Sequence, residues 1–430
     1  MKSKNILPFA VLCSVPFVMV LGNSMLIPVL PKIKSALDLS QVQTGLIITA
    51  FSVPAGLVIL FVGILSDRIG RKEVISPALI IYGLGGAGAA LAGAFLENSY
   101  PLIIVARVVQ GIGAAGTAPI AIALTGDIFQ SEERSKAQGL LEASNGLGKV
   151  LSPVLGAGSG LLSWWAPFAL YAVISVPAAV AVWVLIPEPK KKGEKTAMRR
   201  YFRDLGEILK AKGRSLGACY VAGGVVLMIL FGVLFYFSDL LESRFNVTGL
   251  LKGVIIAVPI LIMSVTSFLV GLFMQTHRNW LKVATWVGLL VVAAALLVSS
   301  LITKALWLGI AMAFVGLGSG FVLPSLDTMV TSAASGQARG MVTSVYGAVR
   351  FFGVALGPPA FGWLMEHGRF VVFVPPAVLA AGAAIFVMLA LQLELLKPPG
   401  AGGGDPAAKN AEAQSSSDPG GPHNSGGPHN

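Results

Sequence analysis

The chain has 430 residues, 55% of them hydrophobic and only 12% charged, against about 25% charged in a soluble domain. That leaves too few polar side chains to cover a water-facing surface, so most of the exterior must face lipid. The net charge of +11 would suit a nucleic acid, but the basic residues sit in short gaps between apolar runs. That is the pattern of membrane orientation signals, and a nucleic-acid partner is excluded.

A helix needs roughly 20 apolar residues to cross a bilayer. Twelve such runs follow one another, at about 6–30, 42–65, 74–95, 101–126, 137–162, 165–186, 215–240, 250–273, 281–302, 305–332, 340–365 and 370–394. The first passes signal-peptide length with no cleavage-like site and is expected to stay as a spanning helix. The two cysteines, Cys13 and Cys219, fall inside apolar runs and suggest neither a disulfide framework nor a metal site. With the N-terminus placed inside, twenty-two of the Lys and Arg residues fall on that side and six on the other. The sequence therefore predicts a multi-pass protein of the cell (inner or plasma) membrane with both termini cytoplasmic.

Ten of those basic residues lie in one central loop, 187–214. It divides the chain into a six-helix N-terminal half (1–186) and a six-helix C-terminal half (215–396). Within the loop, the stretch from Met198 to Ala211 reads either as an amphipathic helix on the membrane surface or as a solvated linker. From Lys397 the apolar pattern stops, and the Pro-, Gly- and Ser-rich stretch 397–430 reads as a disordered cytoplasmic tail. Its His423 and His429, in a repeated GGPHN, make at most a weak metal site, and no metal or other cofactor is expected. The fold class expected is all-α, integral membrane, with twelve transmembrane helices in two six-helix pseudo-repeats. Two such halves joined by a basic loop are a common plan among secondary transporters.

Between the second and third runs the chain reads Gly63-Ile-Leu-Ser-Asp67-Arg68-Ile-Gly70-Arg71-Lys72. Gly63 allows close helix approach and Gly70 a turn. Asp67, at a helix end, can meet basic groups or the N-terminus of a neighbouring helix. Such a contact would hold the cytoplasmic ends together in one conformation and release them in another. This stretch resembles the G-x-L-x-D-R-x-G-R-K motif of the major facilitator superfamily, in the loop where that family carries it. The corresponding place in the second half, Gly271 to Arg278, keeps a glycine and a basic residue but lacks the acid.

Arg107-Val-Val-Gln110-Gly111-Ile-Gly113 is similar to the family's fourth-helix motif. The glycines Gly111, Gly113 and Gly116 also match a dinucleotide fingerprint, but no strand precedes them and they lie within an apolar span. A charge at that depth is costly and marks a functional candidate. The resemblance implies proton coupling for Arg107; hydrogen bonding to backbone carbonyls is the alternative. In the fifth span, Gly139, Gly148, Ser152, Pro153 and Gly156 keep the spacing of the family's antiporter motif, with Ser152 and Ala157 in place of two glycines. Small residues there would let the two halves approach, and Pro153 would kink the helix. That motif implies export rather than import. The likeness covers about residues 6–394, with the first-helix stretch Leu21 to Pro31 and the loop residues Asp127 and Arg134 in keeping. The expected architecture is the major facilitator fold, resembling its twelve-helix drug:proton antiporters.

Few other charges lie within the spans: Glu142, Lys149, Asp327 and Arg350, with Asp239 near a helix end. Each costs roughly 2.5–3.5 kcal/mol if it faces lipid, so each is expected to face protein or a watery cavity. Glu142 and Lys149 stand two turns apart, too far for a direct pair. Asp327 and Glu142 are candidate proton carriers; Lys149, Arg350, Asn23, Tyr236 and Tyr346 are candidates for the substrate cavity, with Phe17 and Phe314 as further aromatics. Asn23 stands where exporters of cationic drugs often carry an acid. The substrate expected is therefore a neutral, zwitterionic or anionic amphipathic molecule.

No phosphate-binding loop is present, so the proton gradient is the expected energy source, and no enzymatic constellation stands out. The leading expectation is a monomeric proton-coupled antiporter that exports amphipathic compounds, including drugs and antibiotics, by alternating access. The alternatives are a dedicated exporter of an endogenous metabolite such as a siderophore or a sugar-like compound, and a lipid flippase.

Overall fold

A computed structural model describes residues 6–129, 131–186, 198–334 and 336–396. The tail, with its two histidines, and the first part of the central loop lie outside the described residues. Within them the chain is helical and has no strand. The helices are α1 (Ile6–Ser24), α2 (Leu30–Leu37), α3 (Gln41–Ile69), α4 (Lys72–Phe95), α5 (Tyr100–Ala115), α6 (Ala118–Ile128), α7 (Ser131–Leu162), α8 (Ala166–Leu185), α9 (Met198–Ser243), α10 (Gly249–Thr276), α11 (Leu281–Leu301), α12 (Ala305–Ser332), α13 (Gly336–Met365) and α14 (Arg369–Ala390).

Among the described residues, eleven continuous or nearly continuous helices are long and apolar enough to cross a membrane. The twelfth expected span is α7. Its 32 residues include Glu142 and Lys149, and it is held by protein on two sides, against α1 and α10. Two expected spans are broken. A short 3-10 turn, Ile27–Val29, separates α1 from α2. The fourth span divides into α5 and α6 at Gly116 and Thr117, just before Pro119, whose missing N–H and fixed φ restart rather than continue a helix. The amphipathic stretch from Met198 is helical but is not a separate surface helix: it is continuous with the seventh span as the first turns of α9.

In the first half α4 packs on α5 and α8, α3 on α5, and α1 on α7 and α8. In the second, α9 packs on α13 and α14, α10 on α12, and α11 on α12 and α14. Two main seams join the halves, α3 against α13 and α7 against α10, and α9 also meets α2 and the Ile27–Val29 turn. Glycines set equivalent crossings in the two halves. A Cβ on Gly111 would strike the Phe51 carbonyl, and one on Gly316 the Pro259 carbonyl, so both pairs pack with backbone touching backbone.

The basic residues assigned to the cytoplasmic side also cap helices. Lys72 donates to the Ile186 carbonyl after α8 (3.2 Å), Lys212 to Ala333 after α12 (2.6 Å), and Lys282 to Leu391 after α14 (2.8 Å). Each satisfies a terminal carbonyl and meets the negative end of a helix dipole.

Candidate functional site

The loop between α3 and α4 is two residues long. Gly70 takes φ = 118°, a backbone region that a side chain disfavours, and so reverses the chain. Arg71 then turns back. Its Nη2 lies 2.9 Å from Asp67 Oδ1, its Nε 2.7 Å from Asp127 Oδ2, and its Nη1 donates to Ser66. Lys72 lies over the Trp183 ring as well as capping α8. Arg68 follows Asp67 in the predicted latch, and a Cβ added on Gly63 would find Ser344 Oγ of the other half at 4.0 Å. The acid of the motif therefore meets a basic group, the first of its two expected contacts, within its own half. Asp67 remains 54% exposed.

Arg107 is fully buried. Its Nε donates to the Ile47 carbonyl (3.1 Å), its Nη2 to the Gly22 carbonyl (2.9 Å) and its Nη1 to Gln110 (2.7 Å). The guanidinium lies over Phe51, and Tyr171 is its second aromatic neighbour. One side chain thus ties α1, α3 and α5 together. This is the carbonyl-bonding arrangement named as the alternative to proton coupling. Asn23, one residue beyond Gly22, accepts from Ser52 at 3.0 Å.

Along α7 the antiporter motif is used unequally. Gly148 lies against Phe17 of α1 and Gly156 against the Met25 carbonyl just after α1, both in the same half. The approach to the other half is made instead by Pro153, Val154 and Ala157, which meet Gly253 of α10; a Cβ there would lie 2.7 Å from the Pro153 carbonyl. Ser152 is buried. Gly139 meets nothing within 4 Å, nor do Gly340 of α13 and Gly271 of α10. The α7–α10 contact therefore lies where α7 ends and α10 begins.

Charged residues of the two halves converge along α7, α12 and α13. Arg350 Nη1 is 3.1 Å from Asp327 Oδ1, linking α13 to α12, and the side chains are 29% and 47% exposed. Arg350 also lies over the ring of Tyr346, which stacks on Tyr220 of α9. From across the divide, Lys149 of α7 lies within electrostatic reach of Arg350, Glu142 and Asp327. Glu142 is exposed, with Asn145 as hydrogen-bond donor. Two cations and two acids of opposite halves thus share one region, with aromatic rings behind them. Such a set can hold a polar or anionic group of a solute and can exchange its internal pairs for it.

Two aromatic candidates are not brought here. Tyr236 packs edge-on against Phe373 of α14, and its electrostatic neighbours are Arg369, Arg244 and Asp239 at the opposite end of α9. Phe314 lines an outer groove between α11 and α12 with Trp307 and Val298. Residue type alone cannot tell a cavity ring from a packing or lipid-facing one.

The family model of the Major Facilitator Superfamily matches residues 12–358. The chain belongs to that superfamily. It is 38% identical over 373 residues to a bacillibactin exporter of Bacillus subtilis (strain 168), covering 86% of this chain and 92% of the relative. It is 27% identical over 407 residues to the multidrug efflux protein YfmO of the same organism, covering 89% and 93%. Among solved structures, the crystal structure of a D-xylose–proton symporter superposes with a TM-score of 0.74 at 14% identity, over 92% of this chain and 99% of that one. The expected fold is therefore the observed one: a major facilitator transporter embedded in a membrane.

Proposed function

We propose that this transporter exports an endogenous, siderophore-like metabolite by alternating access, with Lys149 and Arg350 taking a polar or anionic part of it and Asp327 carrying a proton inward in exchange. The observation that carries this reading is the mixed charged set between the halves, where Arg350 of α13 pairs with a water-accessible acid and Lys149 of α7 lies within electrostatic reach of both. The first-helix position with Asn23 rather than a carboxylate suits a substrate that is not a simple cation. The 38% identity to a bacillibactin exporter across most of both chains favours one dedicated metabolite over a broad drug panel. Multidrug efflux, the leading expectation from motifs, is the second reading, and the likeness to YfmO keeps it in view. The protein works by moving a solute rather than by converting one, as a monomer in a bacterial cell membrane. The positive-inside bias supports a loading end on the cytoplasmic side, opposite the end where α7 and α10 meet.

Equilibrium binding tests this reading. Purified protein is titrated with bacillibactin, an anionic amphipath and a cationic amphipath. The first two should bind, and Lys149→Ala and Arg350→Ala should each weaken them about tenfold, or about 1.4 kcal/mol. Binding of the cation alone, unaffected by either substitution, would favour the drug-efflux reading instead.

A further inference from the structure

The end at which the halves are in contact carries charges that no motif above accounts for. Asp239 lies one turn from the end of α9, in the second half. Its Oδ1 accepts from Gln41 Nε2 at 3.0 Å, at the first residue of α3 in the first half. Lys34 Nζ, on α2, is 4.0 Å from the same oxygen. The preceding residue, Ser238, is buried and donates to the Ile27 carbonyl at 2.7 Å. Two consecutive residues of α9 are therefore bonded to the other half.

The same helix face reaches the other seam. Glu242 is three residues beyond Asp239, on the same side of α9. It holds Lys252 Nζ at 2.7 Å, with the lysine side chain only 2% exposed. Lys252 precedes Gly253, the residue that meets Pro153 of α7. Asp239 is a second electrostatic neighbour of Lys252. The last turns of α9 thus touch the α2–α3 corner through Asp239 and stand behind the α7–α10 seam through Glu242.

We propose that Asp239 is the gating residue of the closed end, its carboxylate tying α9 to Gln41 and Lys34 across the two halves and letting go when the transporter turns. The chemistry suits a reversible tie. A carboxylate between two protein surfaces needs partners to offset its lost hydration. Here it has one neutral donor and one cation at the limit of ion-pair distance, and water can replace both once the end opens. The partly exposed Asp239 and Lys34 side chains, 18% and 32%, already lie at the edge of water. Asp239 acts by position: it is far from the Lys149–Arg350 group and is not offered as a substrate ligand.

The test is a distance, so it stands whatever the substrate is. Spin labels at Asn98→Cys and Lys304→Cys, both exposed and in loops of opposite halves at this end, report its opening by pulsed electron resonance. Cys13 and Cys219 are replaced by alanine in the background. Wild type should give mainly the short distance. Asp239→Ala should raise the long-distance population at least threefold, Gln41→Ala should shift it the same way, and Asp239→Glu should restore the wild-type distribution. The apparent KM for export should rise in Asp239→Ala, since less protein waits with the loading end open, and fall back in Asp239→Glu. Wild-type distance distributions in both Asp239→Ala and Gln41→Ala would overturn the proposal. So would a shifted distribution that Asp239→Glu fails to restore.

Discussion

Replacing Arg107 by lysine separates its two readings. Arginine makes three hydrogen bonds, to the carbonyls of Ile47 and Gly22 and to Gln110, and lies over Phe51. A lysine keeps the charge but cannot span three acceptors on three helices from one nitrogen. Two of the three bonds are interhelical, a kind that averages about 0.6 kcal/mol in a membrane; three bonds at that value amount to about 2 kcal/mol. Bonds to charged groups in soluble proteins start near 1.5 kcal/mol, which would make the total about 5 kcal/mol. Arg107→Lys should therefore destabilise the first half by about 2–5 kcal/mol, measured by detergent-induced unfolding followed through tryptophan fluorescence. The protons moved per substrate in the surviving protein should be unchanged. Wild-type stability together with an altered proton ratio would refute the structural role and restore coupling as the reason for the residue.

Three further substitutions test other parts of the account. Gly70→Ala places a side chain at φ = 118° and should lower stability by about 1–3 kcal/mol, read in the same unfolding assay. Gly253→Val drives a side chain into the Pro153 carbonyl; it should part the α7–α10 seam and reduce transport at least tenfold, while Gly271→Val, in open space, should leave both transport and yield near wild type. Asp327→Asn keeps a hydrogen-bonding group beside Arg350 but cannot carry a proton, and should abolish substrate-linked proton movement in dye-loaded vesicles without loss of folded protein.

Span number and family were legible because lipid imposes a strong constraint. A helix must be long and apolar, and the loop motif from Gly63 to Lys72 has a fixed place between two of them. The breaks at Ile27–Val29 and at Gly116 were harder to read, since glycine and proline are common in membrane helices and only some interrupt them. Arg107 stood out as a buried charge, but its partners are backbone carbonyls, which no side-chain pattern announces. The Asp327–Arg350 pair spans 23 residues and two helices, so sequence distance concealed it. Asp239 reads in the sequence only as a charge near a helix end, and its partners Gln41 and Lys34 belong to no motif. The available signal was a carboxylate at the end of the seventh span remote from the basic loops, facing a lysine that the positive-inside bias leaves on the sparse side.

The most direct measurement is flux. Protein reconstituted in vesicles that enclose a pH-sensitive dye is given an inward proton gradient, and bacillibactin, an anionic amphipath and a cationic amphipath are added in turn. The account predicts proton movement linked to the first two, lost in Asp327→Asn and weakened in Lys149→Ala. Proton movement with the cation alone, or lipid translocation with no solute-linked proton movement at all, would contradict it.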